Sequence, residues 1–109
     1  MKTIYGIDIS NEMVLRRMTG MVNQFYKILP IKEENEDTLQ QYMLSLQREM
    51  LGCQALIEAL GNDPQYLSLL SILQYLIDHD CDIATVRSEV FKSINILKRM
   101  RDRYETTGG

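Results

Sequence analysis

The sequence predicts an all-α fold: an up-down antiparallel bundle of four helices with a short N-terminal arm. Three observations carry that reading. Apolar residues recur at alternating spacings of three and four, the signature of amphipathic helices. The periodic stretches are separated by only a few residues, and helices roughly 20 to 35 Å long joined by short loops must alternate in direction. Finally, 109 residues, 45% of them hydrophobic and 25% charged, suffice for one buried core without metals or disulfides, so residues 1–109 read as a single domain.

Residues 1–10 alternate loosely, with Ile7 and Ile9 apolar around Asp8, and predict a short extended arm. The first helix is expected over 11–29, with Ser10 as N-cap, Val14, Met18, Met21, Phe25 and Ile28 as its seam and Pro30 as its stop. The second, over 37–61, follows an acidic cluster (Glu33, Glu34, Glu36, Asp37) that suits the positive end of a helix dipole. Its seam is Leu39, Met43, Leu46, Met50, Cys53, Ile57 and Leu60, with Gly61 as the closing C′ residue. Asn62-Asp63-Pro64 reads as a cap with proline in the first turn of a third helix over 64–78. Asp82 caps a fourth helix over 82–104 bearing Ile83, Val90, Ile94, Leu97 and Tyr104, and residues 105–109 read as a tail.

The third helix is apolar around most of its circumference. Leu67, Leu70, Leu73 and Ile77 are expected to form its core face, which would leave Leu69, Ile72 and Leu76 as a second stripe for self-association. Gly20 and Gly52 interrupt strong helices at about 1 kcal/mol each relative to alanine, and suggest either close crossings, simple tolerance or kinks. Five of the seven methionines (Met13, Met18, Met21, Met43 and Met50) lie in the first two helices, as core filler or as an adaptable contact face.

Twelve Lys and Arg against fifteen Asp and Glu give a net charge of −3, too mild for a general nucleic-acid coat or a polyanionic mimic. No apolar run reaches the roughly 18 to 20 residues of a membrane helix and no signal-peptide pattern opens the chain, so no membrane partner and a cytoplasmic location are expected. Cys53 and Cys81 form no CxxC and suit a reducing compartment; Cys53, on the second seam, is expected to be buried and unreactive.

Five potential ligands are packed into Asp78-His79-Asp80-Cys81-Asp82, but one histidine without a second ligand pair does not meet the demands of a zinc site, and the spacing is not that of a calcium loop. The segment reads as a capped polar turn. Single glycines exclude a phosphate-cradling loop. No catalytic residue, metal ligand or cofactor is therefore assigned, and the protein is expected not to be an enzyme.

Basic residues gather in the fourth helix, net +4 from Arg87 to Arg103, against −5 over residues 31–65. Such a cluster complements the helix dipole, and could pair head-to-tail with the acidic region of another subunit. Arg16, Arg17, Lys98, Arg99 and Arg101 are the candidate anion contacts for an alternative reading, a bundle that binds a small anionic ligand or a nucleotide. A nucleic-acid-binding regulator acting through the fourth helix is the other alternative; it lacks recognisable base-reading residues.

The stretches Val14-Leu15-Arg16-Arg17-Met18-Thr19-Gly20-Met21, Ser45-Leu46-Gln47-Arg48-Glu49-Met50-Leu51-Gly52-Cys53 and Ser68-Leu69-Leu70-Ser71-Ile72-Leu73-Gln74-Tyr75-Leu76 resemble short uncharacterised helical proteins carried on prophages and mobile elements of Gram-positive bacteria. That resemblance brings no motif of known chemistry. It implies an accessory protein that binds a host or phage protein. Together with the apolar third helix, the expectation is a non-enzymatic protein–protein interaction or accessory protein acting as a homo-oligomer.

Overall fold

A computed structural model gives the structure of the protein and describes residue 6 and residues 10–107. Those residues are all-α, without a β-strand: α1 (Asn11–Tyr26), α2 (Ile28–Glu34), a 3-10 turn (Glu36–Thr38), α3 (Leu39–Leu56), α4 (Glu58–Gly61), α5 (Pro64–Asp78) and α6 (Ile83–Thr107). The arm expected over residues 1–10 lies, apart from Gly6 and Ser10, outside the described residues, as do the last two residues of the expected tail. No helix among the described residues is long and apolar enough to cross a membrane.

The three expected caps form. Ser10 accepts a hydrogen bond from the Met13 N–H, Asp63 from those of Gln65 and Tyr66, and Asp82 from that of Thr85; each satisfies backbone donors that the first helical turn leaves unpaired. The first seam is buried throughout, from Val14 to Ile28, and so is the second except at Cys53, which is half-buried. Opposite polarity within pairs follows from the contacts. Asn11 at the start of α1 donates to the Tyr104 carbonyl near the end of α6, while Tyr26 at the end of α1 packs edge-on against Phe91. In α3 and α5, Gln40 reaches the Ile77 carbonyl and Met50 meets Tyr66.

Element boundaries depart from the sequence reading in four places. Pro30 does not end the first helix: the helix breaks earlier, at Lys27, and restarts so that Pro30 falls in the first turn of α2. Proline lacks the N–H that would have bonded the Tyr26 carbonyl, and its ring would clash with that carbonyl in a continuous helix. The second helix is interrupted at Ile57, whose backbone is extended (φ −101°, ψ 108°); its N–H still bonds the Cys53 carbonyl, and the turn α4 returns Leu60 to the core. Gly61 ends α4 without a left-handed cap, since among the described residues only Gly6 has a positive φ. The last helix continues through Thr107, so residues 105–107 are helical rather than tail.

The largest correction concerns α5. Its buried residues are Tyr66, Leu69, Leu73, Leu76 and Ile77, whereas Leu67 is 43% exposed and Leu70 and Ile72 are half-buried. Leu69 and Leu76, expected on an outer stripe, are thus core residues of the single chain. The reason is Tyr66, which the apolar pattern omitted: its ring is fully buried and its hydroxyl donates to the Met50 carbonyl at 2.6 Å. Tyr66, Leu69, Leu73 and Leu76 repeat at three, four and three, so anchoring Tyr66 inward rotates that face into the core and turns Leu67 outward.

Asp63 locks the same end of the molecule. Besides capping α5, its carboxylate, 3% exposed, accepts hydrogen bonds from the Tyr104 hydroxyl at 2.6 Å and from the Arg103 guanidinium, both on α6. Burial works against its charge, but the bonds from Tyr104, the Gln65 N–H and Arg103 outweigh it and hold the carboxyl below its ordinary range. Burial and the Asp63 contact push the Tyr104 phenol up to about 12.

Neither helical glycine marks a close crossing. A Cβ on Gly52 would meet nothing within 4 Å, and one on Gly20 only the flexible end of Arg17 at 3.8 Å. Gly52→Ala should therefore stabilise the protein by roughly 0.5–1 kcal/mol in denaturant unfolding; a lower midpoint would mean that the glycine has a role in α3 beyond tolerance.

Asp63→Ala should cost about 2–4 kcal/mol, since it removes both the cap and a charged hydrogen-bond network. With its carboxyl depressed in the fold, the unfolded chain binds the extra proton first, so the contribution of Asp63 is complete above about pH 4 and fades as the pH falls through the folded value. Tyr104 has the opposite sign: its contribution is complete below about pH 10 and is lost as the pH rises toward the folded value. Denaturation across pH should show a plateau between these limits; in Asp63→Ala the plateau should be lower and the fall at both edges shallower, because the mutation removes the Asp63 shift and part of the Tyr104 shift.

Candidate functional site

Two concave surfaces lie at different places on the helices. The first is a cleft of about 350 Å³ where α2, the 3-10 turn and α3 meet the end of α5 and the turn into α6. Leu39, Met43, Leu76, Ile77 and Val86 form an apolar floor contributed by the core itself. The rim is polar and includes the Asp78–Cys81 segment together with Lys32, Glu36 and Gln40.

Local helix geometry explains the second half of that rim. Lys32 and Glu36 are four residues apart and touch, which holds the ammonium above its usual range. The Lys32 side chain is only 10% exposed, and Asp80 stands 3.8 Å from its Nζ, too far for a hydrogen bond but close enough for attraction. Gln40 donates its Nε2–H to the Ile77 carbonyl, which satisfies one of the open carbonyls at the end of α5. His79 stacks on Tyr75 at 4.4 Å between ring centroids, with its Nδ1 2.9 Å from the Tyr75 carbonyl. A carbonyl only accepts, so Nδ1 carries the proton and Nε2 of the neutral ring is an acceptor.

The Asp78–Asp82 segment is therefore the capped polar turn expected of it, and also one wall of a cleft. Asp82 bonds Thr85, side chain and backbone, and is held below the ordinary carboxylate range. Among the described residues no three His, Cys, Asp or Glu side chains are placed to hold a metal ion. Cys81 lines the cleft, half-buried; Cys53 is half-buried too, beside the Arg17 guanidinium, and not sealed in the core as its seam position suggested.

The second surface is an open groove of about 500 Å³ between α5 and α6, lined by Leu67, Ile72 and Ile96 with Pro64, Ser68, Ser71 and Lys92. Of the three residues expected to drive self-association, only Ile72 reaches it.

The five candidate anion contacts do not converge. Arg16 pairs with Glu12 at 3.0 Å on an exposed face of α1. Arg17 turns toward α3, where it bonds Glu49 at 3.1 Å and approaches Gln24, and Gln24 in turn bonds Glu49 at 2.8 Å; the Gln24 bond and the guanidinium together hold Glu49 below its usual range. Arg101 reaches the Thr19 hydroxyl at 3.4 Å, and Lys98 and Arg99 are exposed on α6. No two of the five share a hydrogen-bonding partner. The reason is that Arg16 and Arg17 are neighbours in sequence but project about 100° apart around a helix, so one faces solvent and the other α3.

The acidic and basic regions are also partly matched within the chain, Arg87 with Glu33 at 3.3 Å and Arg103 with Asp63. Sequence reasoning missed Lys32, Glu36 and Gln40 as members of the cleft. Their spacing of four was the available signal, but only the tertiary fold sets them against residues 78–81. No family model, curated protein or solved structure matches the chain.

Proposed function

We propose that the protein is a non-enzymatic interaction or accessory protein of the cytoplasm that works as a homo-oligomer, with the α5/α6 groove as its self-association surface. We read its helices as a four-helix up-down bundle in which α1/α2 and α3/α4 each act as one interrupted helix. The observation that carries the reading is that Leu67 is 43% exposed beside half-buried Ile72 and Ile96, in a groove whose only charged lining side chain among the described residues is Lys92. Lys92 is itself occupied by Glu89 at 3.3 Å. Ser68 and Ser71 are small, so a second helix can approach closely between the larger side chains.

A second copy suits this surface because a two-fold axis through the groove brings Leu67, Ile72 and Ile96 against themselves without opposing like charges at the centre. Six partly exposed side chains at about 1.5 kcal/mol each give a gross gain near 9 kcal/mol, against an association cost of several kcal/mol. The dimer is accordingly weak and concentration-dependent.

The test is sedimentation of the full chain from micromolar to near-millimolar concentration. Wild type should shift from monomer to dimer, while Leu67→Glu and Ile72→Glu should stay monomeric at every concentration with unchanged helical circular dichroism. A wild type that remains monomeric, or a Leu67→Glu variant that dimerises as wild type does, overturns the proposal.

A further inference from the structure

The cleft at the end of α5 is far from featureless, and its hydrogen-bonding groups select one ligand chemistry. Its floor is apolar. Among the described residues its rim carries three carboxylates (Glu36, Asp78 and Asp80) against the single ammonium of Lys32, and it sits at the C-terminal, negative end of α5. His79 gives its Nδ1–H to the Tyr75 carbonyl, which leaves Nε2 as an acceptor, while Gln40 gives one Nε2–H to the Ile77 carbonyl and keeps its carbonyl oxygen and a second N–H. Asp78 accepts one bond from Gln74 at 2.9 Å and keeps its other oxygen.

Lys32 is the one cation lining the cleft among the described residues. Its side chain is nine-tenths buried, and of its three N–H donors Glu36 takes one, while Asp80 at 3.8 Å lies beyond hydrogen-bond distance. The remaining donors are open to an oxygen, from water or from a ligand in the cleft. A carboxylate is disfavoured there, because it would share the ammonium with Glu36 and add to an already negative rim; a neutral carbonyl meets the need without that repulsion.

We propose that the cleft binds an α-amino amide with an apolar side chain: the ammonium against Asp78, Asp80 and His79 Nε2, the amide carbonyl on Lys32, and the side chain on the floor of Leu39, Met43 and Leu76. At about 350 Å³ the space accommodates a ligand of that size, within the range of small-molecule sites. The same chemistry occurs in a free amino-acid amide and at the amino terminus of a polypeptide. This site is independent of the α5/α6 groove.

The experiment titrates L-leucinamide into the labelled full chain and follows amide resonances. Saturable shifts should be confined to residues 32–43 and 76–86. L-leucine, whose carboxylate replaces the amide, should bind at least about tenfold more weakly, and so should glycinamide, which has no side chain for the floor. The double variant Asp78→Asn/Asp80→Asn alters two exposed side chains, so its thermal midpoint should stay near that of wild type while leucinamide affinity falls by at least about tenfold. An amidated tripeptide, leucyl-alanyl-alaninamide, separates the two sources: binding at least as tight as that of leucinamide assigns the site to polypeptide amino termini, and exclusion assigns it to free small amines. Absence of saturable shifts up to tens of millimolar, equal binding of leucine and leucinamide, or unchanged affinity in a folded double variant overturns the proposal.

Discussion

Much of the molecule depends on where the Tyr66 phenol goes. A tyrosine can be fully buried only if its hydroxyl finds a partner, and the Met50 carbonyl of α3 supplies one at 2.6 Å. That bond and the burial of the ring fix the rotation of α5 about its own axis, which in turn sends Leu69, Leu73 and Leu76 into the core and leaves Leu67 at the surface. Burial pushes the phenol's ionisation upward, which favours the protonated, donating form. A helix apolar on most sides has no preferred orientation from hydrophobicity alone, and here one polar atom breaks the tie.

Three residues earlier, Asp63 fixes the position of the same helix end. The carboxylate satisfies the first N–H groups of α5 and gathers Arg103 and Tyr104 from the last turns of α6. The two contacts divide the labour: Tyr66 fixes rotation against α3, and Asp63 fixes the helix end against α6. The consequence at the other end of α5 is that its final turn is delivered to α2 and α3, where Gln40 meets the Ile77 carbonyl and Lys32 meets the 79–82 turn. Cleft and groove therefore follow from one placement of one helix.

The surface ion pairs contribute much less. Arg16–Glu12, Arg87–Glu33 and Lys92–Glu89 all involve substantially exposed side chains, and such pairs are worth about 0–1 kcal/mol. Their significance is that they occupy charges. Basic residues that look like an anion site in one dimension are distributed over separate faces, with Arg16 and Arg17 given to separate acids and Arg101 to the Thr19 hydroxyl, which removes the convergence that binding a phosphate or carboxylate would require.

What the sequence by itself determined is the set of features set by neighbours within a few residues. Ser10, Asp63 and Asp82 act as caps because each can reach N–H groups two or three positions on, and the seams Val14–Ile28 and Leu39–Leu60, half-buried Cys53 apart, are buried because a repeat of three and four puts them on one face of a helix. Even Ile57, where α3 breaks, stays in the core. The tertiary structure decided whatever required comparing distant segments. The orientation of α5 was set by Met50, sixteen residues before Tyr66; the cleft joined Lys32 and Glu36 to residues more than forty positions away; and Arg17 was drawn to Glu49 rather than to its neighbour's solvent face. Periodicity says how many sides of a helix are apolar, but which side faces inward depends on partners that only the folded chain brings within hydrogen-bonding distance.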